Sequence, residues 1–216
     1  VILPVLLYAS SLPNSFHYDD LHTLVNNPHI RSAGFMNGLK KIPDFFTTSQ
    51  YYSSETHKVG HYRPLLYTTY VFNYSLSGLN PTGFRLVNLG LHIGCVILVY
   101  LLGLHLFKEG LGALLAALIF ALHPLFSEAV NYISARSSSL ATLFYLWAFY
   151  SFLKLRDAPS GKDQPIVFHL SLFSLFTVLA FLSKEISFTL PIMLLIYDLL
   201  YTRFDKTKKR VWALPY

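Results

Sequence analysis

The sequence predicts an all-α integral membrane protein, a helical bundle that crosses the membrane several times. Hydrophobic residues make up 53% of the 216 residues and charged residues only 13%, and the mean hydropathy is positive. Several apolar runs approach the length of roughly 20 residues that a helix needs to cross a bilayer. The 18 Phe and 15 Tyr residues fit the aromatic enrichment of membrane interfaces. These observations favour membrane-spanning helices over a soluble domain.

The first part of the chain predicts one span followed by a large loop. Residues 1–9 are apolar and are expected to be the outer end of a first span. Residues 10–80 are mixed in character and are predicted to form a loop outside the cytoplasm. Within it, Phe35 to Phe46 and Leu65 to Leu76 form short helical patterns, the second with Pro64 at its first position. Neither pattern can cross a core of about 30 Å, so we expect both helices at the interface.

Residues 81–201 are predicted to hold about five further spans. The first of these follows the helix boundary at Gly78-Leu79-Asn80-Pro81. Leu111 to Leu122 is short for a span and is expected to continue by a turn at each end. With the first span the total is about six. The predicted spans are Leu86 to Phe107, Leu111 to Leu122, Ser138 to Leu155, Ile166 to Leu182 and Ser187 to Tyr201.

The distribution of Lys and Arg predicts the orientation. Basic residues follow alternate spans at Lys108, at Lys154 to Lys162 and in the segment 202–210. These three stretches lie on one side of the membrane, which is therefore predicted to be cytoplasmic. Residues 211–216 are expected to begin another span of a longer protein. The loop 10–80 and Lys184-Glu185 then face the periplasm or a lumen. Because the net charge of +6 lies largely beside spans, it does not indicate nucleic-acid binding.

Two adjacent carboxylates follow the first span, at Asp19 and Asp20. They cannot both be buried cheaply without a cation or hydrogen-bond donors. One of them could act as a general base that takes a proton from an acceptor hydroxyl. The alternative is a solvated turn or a helix N-cap for the residues from Leu21 onward. The pair could also contact a divalent cation, although two side chains supply few of the about six to eight oxygen ligands that Ca²⁺ takes.

Cations and further polar groups are predicted on the same side of the membrane. His61-Tyr62-Arg63 places a guanidinium at the start of a helix, where it could bind phosphate or extend to lipid headgroups. Glu128, Tyr132 and Arg136 follow at steps of four and would share one helical face, as a binding site or as a local Glu–Arg network. Lys184-Glu185 interrupts two apolar runs, so it is expected to face a cavity or a partner, or to form an internal ion pair.

The ordered set of these motifs resembles a known family. The chain is similar to the membrane part of the transmembrane and tetratricopeptide-repeat-containing O-mannosyltransferases and their bacterial relatives, which belong to the GT-C class together with the dolichyl-phosphate-mannose protein mannosyltransferases. The resemblance covers nearly the whole chain. Its motifs are Phe16-His17-Tyr18-Asp19-Asp20, His61-Tyr62-Arg63-Pro64-Leu65, Leu79-Asn80-Pro81, Leu86 to His92, His123-Pro124 through Ser127-Glu128-Ala129-Val130 to Arg136, Leu182-Ser183-Lys184-Glu185 and Leu195-Ile196-Tyr197-Asp198.

The resemblance implies a GT-C fold and transfer of a mannose-like monosaccharide from a polyprenyl-phosphate carrier to a protein hydroxyl, outside the cytoplasm and with inversion. It implies that Asp19 and Asp20 hold the catalytic base and that Arg63, Arg136 and Lys184 hold the donor phosphate. His61, Glu128 and Tyr132 would support the site, and Glu185 would orient Lys184 or contact the acceptor. No metal ligand set is predicted.

The resemblance also implies partners and a location. These are membrane lipid, the lipid-linked sugar, an acceptor protein and membrane or tetratricopeptide-repeat subunits. The bacterial style of the motifs favours an inner membrane over the endoplasmic reticulum. Two other functions stay open: a non-catalytic GT-C-like scaffold subunit, and a transporter, whose charges should lie near the bilayer midplane. An open cavity between the carboxylates and the cations, with a lipid groove beside it, would favour the transferase.

Overall fold

The computed structural model describes residues 2–31, 35–48, 53–54, 61–157 and 163–204, and these contain α-helices, short helical turns and no strands. The predicted basic segment beyond residue 204 and the predicted span start at 211–216 lie outside the described residues. The all-α class is confirmed. The helices are α1 (Ile2–Tyr8), α2 (Phe35–Thr47), α3 (Pro64–Ser77), α4 (Pro81–Phe107), α5 (Gly110–Leu122), α6 (Ser127–Asn131), α7 (Arg136–Arg156), α8 (Asp163–Phe181) and α9 (Leu190–Phe204).

The boundary between α3 and α4 follows from its sequence, as predicted. Gly78 ends α3 with a positive φ of 58°, which costs glycine little because it has no Cβ. Asn80 then caps α4, since its side-chain oxygen accepts a 3.0 Å hydrogen bond from the backbone N–H of Thr82. At the other end, Lys108 adopts a left-handed conformation and its N–H bonds to the carbonyl of Leu104. These caps fix both ends of the longest helix.

Helix α4 is the centre of the bundle and packs against α5 and α7. Gly103 allows a close approach to α5, because a Cβ added there would lie 2.8 Å from the Cα of Ala113. Helix α7 packs in turn on α8, where the rings of Trp147 and Phe176 stack with centroids 4.5 Å apart. Small residues and aromatic stacking thus hold four helices side by side.

Two helices are long and apolar enough to cross a membrane, Pro81–Phe107 and Gln164–Phe181. A third span is counted if Gly110–Leu122 and Pro124–Asn131 are taken as one crossing that bends by 53°. These counts cover only the described residues and rest on length and composition. The expectation that the helix over Leu111 to Leu122 continues by a turn at each end is wrong, since α5 runs from Gly110 to Leu122 and the chain turns at Pro124. The predicted total of about six spans stays a prediction.

The polypeptide between α1 and α4 builds a small core of its own. Helices α2 and α3 begin and end within a residue of their predicted bounds. Tyr70 and Val71 of α3 are buried with Leu24 and Phe45 in one hydrophobic cluster, which extends to Ile133 before α7. Burying each such side chain contributes about 1.5–3 kcal/mol. The loop therefore packs firmly on the N-terminal end of α7, where the predicted site residues lie.

Candidate active site

The charged side chains gather at the two ends of the bundle. Lys108 follows α4 and Lys154 lies in the last turn of α7, beside a cavity of about 610 Å³ at one end. At the other end, a second cavity of about 430 Å³ lies between the loop, the start of α7 and the turn before α9. We call it the polar cavity. It is lined by the predicted site residues Asp19, His61, Arg63, Glu128, Tyr132 and Lys184, and by His22, Tyr67, Ser134, Ser137 and Ser138 among others.

Asp19 presents its carboxylate to the polar cavity. The side chain is 61% exposed, and Oδ1 lies 3.2 Å from Nε2 of His22. Its backbone is fixed at both ends of the residue. The N–H donates to the hydroxyl of Tyr132 at 3.3 Å, and the carbonyl accepts from the hydroxyl of Thr23 at 2.6 Å. An accessible carboxylate on a held backbone, next to a histidine, is suited to accept a proton.

Asp20 points the other way and is fully buried. Its carboxylate accepts hydrogen bonds from the backbone N–H of Ser134 at 2.8 Å, from the Ser134 hydroxyl at 2.5 Å and from the N–H of His17 at 3.2 Å. These bonds attach the loop to the turn before α7. The adjacent acids therefore differ in environment, with Asp19 at the cavity and Asp20 inside, and they do not form a joint cation site.

Arg63 reaches the cavity because the start of α3 is tied to the end of α8. The N–H of Leu65 bonds to the carbonyl of Leu182 at 3.3 Å. From there the guanidinium of Arg63 donates twice to Oε2 of Glu185, at 2.9 and 3.3 Å, and once to the hydroxyl of Ser137 at 3.4 Å. Arg63 is thus held in place while its side chain remains 20% exposed.

Glu185 contacts the predicted site residues His61 and Arg63. Nδ1 of the exposed His61 lies 3.3 Å from Oε1 of Glu185. Partial burial would raise the pKa of Glu185, but the hydrogen bond from Arg63 and the charges of Arg63 and His61 outweigh it and lower the pKa. Glu185 is therefore ionised at neutral pH. It bonds to Arg63, and the roles that the resemblance implied, orienting Lys184 or contacting the acceptor, stay predictions.

Lys184 lies on the same side of the cavity and is held by α7. Its Nζ donates to the Ser138 hydroxyl at 2.7 Å. Burial lowers its pKa, and the charge of Arg63 lowers it further, although Glu185 and Glu128 act in the opposite direction. Two neighbouring cations that repel each other favour an anion between them. Arg63 and Lys184 thus provide such a place beside Asp19.

Glu128 and Tyr132 line the cavity, but the predicted helix that joins them to Arg136 is wrong. Helix α6 ends at Asn131, and Tyr132 is extended with φ −93° and ψ 112°. Arg136 begins the separate helix α7 and turns into the interior. The spacing of four was therefore not a shared helical face. Burial and a hydrogen bond to Asp19 raise the pKa of Tyr132 to about 12, so its hydroxyl stays protonated.

Arg136 is fully buried and is not among the residues that line the polar cavity. Its guanidinium donates to the side-chain oxygens of Asn88 at 2.7 Å and Asn73 at 2.8 Å, and to the carbonyl of Phe84 at 2.8 Å. It also lies over the Tyr70 ring, 5.0 Å from the centroid. A buried guanidinium satisfied in this way joins α3, α4 and α7. Its donors face interior oxygens, and none of these partners belongs to the cavity.

Arg85 is a second buried arginine, which the sequence reasoning missed. It donates to the carbonyl of Asn131 at 2.9 Å and to that of Leu12 at 3.1 Å, and also to the carbonyls of Asn14 and Ser15. These bonds hold the polypeptide before Asp19 against α4 and α6. A single Arg near the start of a long apolar helix was the available signal. Burial of such a charge requires partners.

Two other cavities adjoin the polar cavity. One, of about 250 Å³, lies between α4, α5 and α7 and is lined mostly by apolar side chains, among them Cys95, Phe120 and Phe126. We call it the apolar cavity. The other, the outer cavity, measures about 430 Å³ and is bordered by His17, Tyr18 and Asn131. Each shares residues with the polar cavity, and Glu128 lines all three.

No group of three or more His, Cys, Asp or Glu side chains in the described part of the chain is arranged to hold a metal ion. The candidate site consists of two exposed carboxylates, Asp19 and Glu128, and the two cations Arg63 and Lys184.

Comparison with known proteins agrees with the resemblance. The family model of dolichyl-phosphate-mannose-protein mannosyltransferases matches residues 47–214. Protein O-mannosyl-transferase TMTC1 of Homo sapiens is 35% identical over 202 residues, covering 90% of this chain. Protein O-mannosyl-transferase TMTC3 of Mus musculus is 32% identical over 88% of the chain, and protein O-mannosyl-transferase TMTC4 of Homo sapiens is 31% identical over 91%.

The matched region is a small part of each relative, 22%, 20% and 28% of their respective lengths. Further matches come from Caenorhabditis elegans and Drosophila melanogaster. Because all these relatives are animal proteins, the preference for a bacterial inner membrane is not supported. No solved structure matches the chain.

Proposed function

Because the chain belongs to the dolichyl-phosphate-mannose-protein mannosyltransferase family, we propose that it carries the active site of a membrane glycosyltransferase. In this proposal a mannose-like hexose moves from a polyprenyl-phosphate carrier to a hydroxyl of an acceptor protein, on the membrane face away from the cytoplasm. The observation that carries the proposal is the polar cavity, in which the Asp19 carboxylate lies with the cations Arg63 and Lys184.

The cations suit a phosphate leaving group. When the bond between the sugar and the carrier breaks, negative charge develops on the phosphate oxygens, and oriented donors stabilise that charge most where water is excluded. Arg63 can present its remaining N–H groups because Glu185 and Ser137 fix its plane. Lys184 contributes a point charge beside it. We assign phosphate binding to this pair. Arg136, whose partners are interior oxygens, is assigned a structural role.

Asp19 suits the role of general base. In the proposed step the acceptor oxygen attacks C1 of the hexose, the bond from C1 to the phosphate oxygen breaks, and its electron pair stays with the phosphate. The acceptor proton passes to the Asp19 carboxylate. A single displacement inverts the configuration at C1. His22, 3.2 Å from Oδ1, orients the carboxylate, and such proton transfer contributes typically about 10²–10⁴-fold to rate.

The adjoining cavities provide room for the rest of both substrates. The apolar cavity opens beside Ser138 and Glu128, so it can take the first isoprene units of a lipid whose phosphate lies at Lys184. The outer cavity lies on the other side of Glu128 and beside the Asp19 loop, where an acceptor polypeptide can approach. A scaffold subunit would need none of this open volume, so the arrangement favours the transferase.

The location follows from the charge distribution and the relatives. Lys108, Lys154 and Arg156 lie at the end of the bundle opposite the polar cavity, which supports a cavity facing away from the cytoplasm. Since the relatives are animal proteins, we propose an endoplasmic reticulum membrane with the cavity open to the lumen. An acceptor protein and membrane or tetratricopeptide-repeat subunits are the proposed partners.

The proposal is tested by binding of polyprenyl phosphate to the full protein in lipid nanodiscs. Arg63→Ala and Lys184→Ala should each weaken binding about tenfold or more, because a charge-assisted hydrogen bond contributes about 1.5–3 kcal/mol. Arg31→Ala is the matched control, since Arg31 is exposed and is not among the residues lining the cavity. Unchanged affinity in both cavity variants would contradict the assignment.

A further inference from the structure

Glu128 lies where the three cavities meet. It projects from α6, a helix of only five residues between the turn at Pro124 and the extended Tyr132. The polar cavity, the apolar cavity and the outer cavity all include it among their lining residues. It therefore borders the proposed places of the carrier lipid, the phosphate and the acceptor at once.

The carboxylate of Glu128 differs from the other charged groups of the site in its partners. Asp19 lies against His22, Arg63 is held by Glu185, and Lys184 donates to Ser138. Among the described residues no hydrogen bond or ion pair reaches the Glu128 side chain. The charge of Glu128 acts to raise the pKa of Lys184, but the Nζ of Lys184 donates its hydrogen bond to Ser138 and not to Glu128. An ionised carboxylate accepts hydrogen bonds at two oxygens, and Glu128 offers this capacity to the cavity.

We propose that Glu128 binds hydroxyl groups of the transferred hexose and so determines which sugar is accepted. The inference rests on the proposed function. The hexose joins the phosphate, at Arg63 and Lys184, to the attacking oxygen, at Asp19, and so it must occupy the space between them. Glu128 borders that space. Two neighbouring sugar hydroxyls can donate to the two oxygens of one carboxylate, and no other carboxylate that lines the polar cavity is without a described partner.

This role predicts discrimination by hydroxyl groups. A site that hydrogen-bonds a substrate hydroxyl rejects an analogue lacking it, because the protein group is left without its partner. Glu128 is exposed in the absence of ligand, so water can replace a missing hydroxyl and the discrimination should be moderate. We expect a contribution of about tenfold, in line with a hydrogen bond to a charged group of about 1.5 kcal/mol.

The test compares two ligands, polyprenyl phosphate and polyprenyl-phosphate mannose, on the full protein in nanodiscs. The Kd for polyprenyl phosphate divided by the Kd for polyprenyl-phosphate mannose measures the affinity that the hexose adds. Glu128→Ala should reduce this ratio about tenfold, and Glu128→Gln, which keeps one acceptor oxygen, should reduce it less. Polyprenyl phosphate is a monoester with up to two negative charges and polyprenyl-phosphate mannose is a diester with one, so the effect of losing the Glu128 charge does not cancel in the ratio. Glu128→Gln removes the same charge, and the difference between Glu128→Ala and Glu128→Gln therefore isolates the lost hydrogen bonds.

Glu109→Gln is the matched control, since it removes the same charge at the opposite end of the bundle. Retained binding of polyprenyl phosphate by each variant shows that it is folded. A ratio in Glu128→Ala equal to that of the wild type, or equal to that of Glu128→Gln, would overturn the inference while leaving the proposed function intact. A wild-type protein that does not bind polyprenyl phosphate would overturn the proposed function and the inference with it.

Discussion

Replacing Arg136 by Ala should destabilise the protein far more than it affects the donor site. The change removes donors from the side-chain oxygens of Asn88 and Asn73 and from the carbonyl of Phe84, at 2.7–2.8 Å. It also leaves a space over the Tyr70 ring. Each charge-assisted hydrogen bond contributes about 1.5–3 kcal/mol, but the bonds share one group and do not add. Leaving buried acceptors without their donor costs about 1–3 kcal/mol, and the cavity left by a large buried side chain adds about 2–3 kcal/mol, so we expect a loss of about 3–5 kcal/mol.

A loss of that size should lower the Tm by about 10 °C, since about 1 kcal/mol corresponds to about 2–4 °C in a chain of 150–250 residues. Thermal unfolding followed by intrinsic fluorescence in detergent measures it. Arg136→Lys should recover little, because an ammonium cannot supply the planar set of donors. Arg63→Ala is the comparison, and the partial exposure of Arg63 predicts a loss under about 1 kcal/mol.

One pattern of results would contradict a structural role for Arg136. If Arg136→Ala unfolds at the wild-type temperature but binds polyprenyl phosphate more weakly, Arg136 binds the phosphate of the sugar donor, as the resemblance implied. The expected pattern is the reverse, with stability lost in Arg136→Ala and affinity lost in Arg63→Ala.

Three further predictions concern the scaffold and the cations. Asp20→Asn should reduce the free energy of unfolding by about 1.5–3 kcal/mol, because a buried acceptor of two hydrogen bonds from Ser134 loses its charge. Urea denaturation measures this loss. An unfolding midpoint equal to that of the wild type would contradict the structural role of the buried Asp20. Polyprenyl-phosphate binding should weaken as the pH rises through the pKa of Lys184, which lies below its ordinary value of 10.5, since the side chain is a cation only below that pKa. Lys184→Arg should abolish this pH dependence. A pH dependence in Lys184→Arg equal to that of the wild type would remove Lys184 from the site. Gly103→Ala should lower the Tm, because its Cβ would lie 2.8 Å from the backbone of α5 and overpacking costs about 1–3 kcal/mol. Gly90→Ala meets no atom within 4 Å and should stabilise by up to about 1 kcal/mol, so equal effects of the two would contradict the close packing.

Local signals in the sequence were sufficient for much of the fold. The helix start at Arg63-Pro64 and the boundary at Gly78 to Pro81 depend on φ restrictions and capping groups that short segments carry by themselves. The bounds of α2 and α3 were predicted to within a residue. The end of α5 at Leu122 was predicted wrongly because the apolar run was short for a span and was therefore extended, although Pro124 lies just beyond it.

The candidate site was predicted less completely. Asp19, Arg63 and Lys184 come together as expected from loops that lie at one end of the bundle. Arg136 was assigned to the same group because charge and spacing do not distinguish a ligand from a buried side chain. Its partners Asn73 and Asn88 are polar residues in apolar helices, which is the signal for a buried charge. Only tertiary contacts showed that they meet it.

The role of Asp19 is the most direct test of the proposed chemistry. The measurement is single-turnover transfer of labelled mannose from polyprenyl-phosphate mannose to a protein acceptor, by the full protein and its Asp19→Asn variant, with donor binding determined in parallel. We expect the variant to bind donor within about threefold of the wild type and to transfer mannose about 10²–10⁴ times more slowly, the range for loss of a general base. Transfer by Asp19→Asn at the wild-type rate would contradict the account.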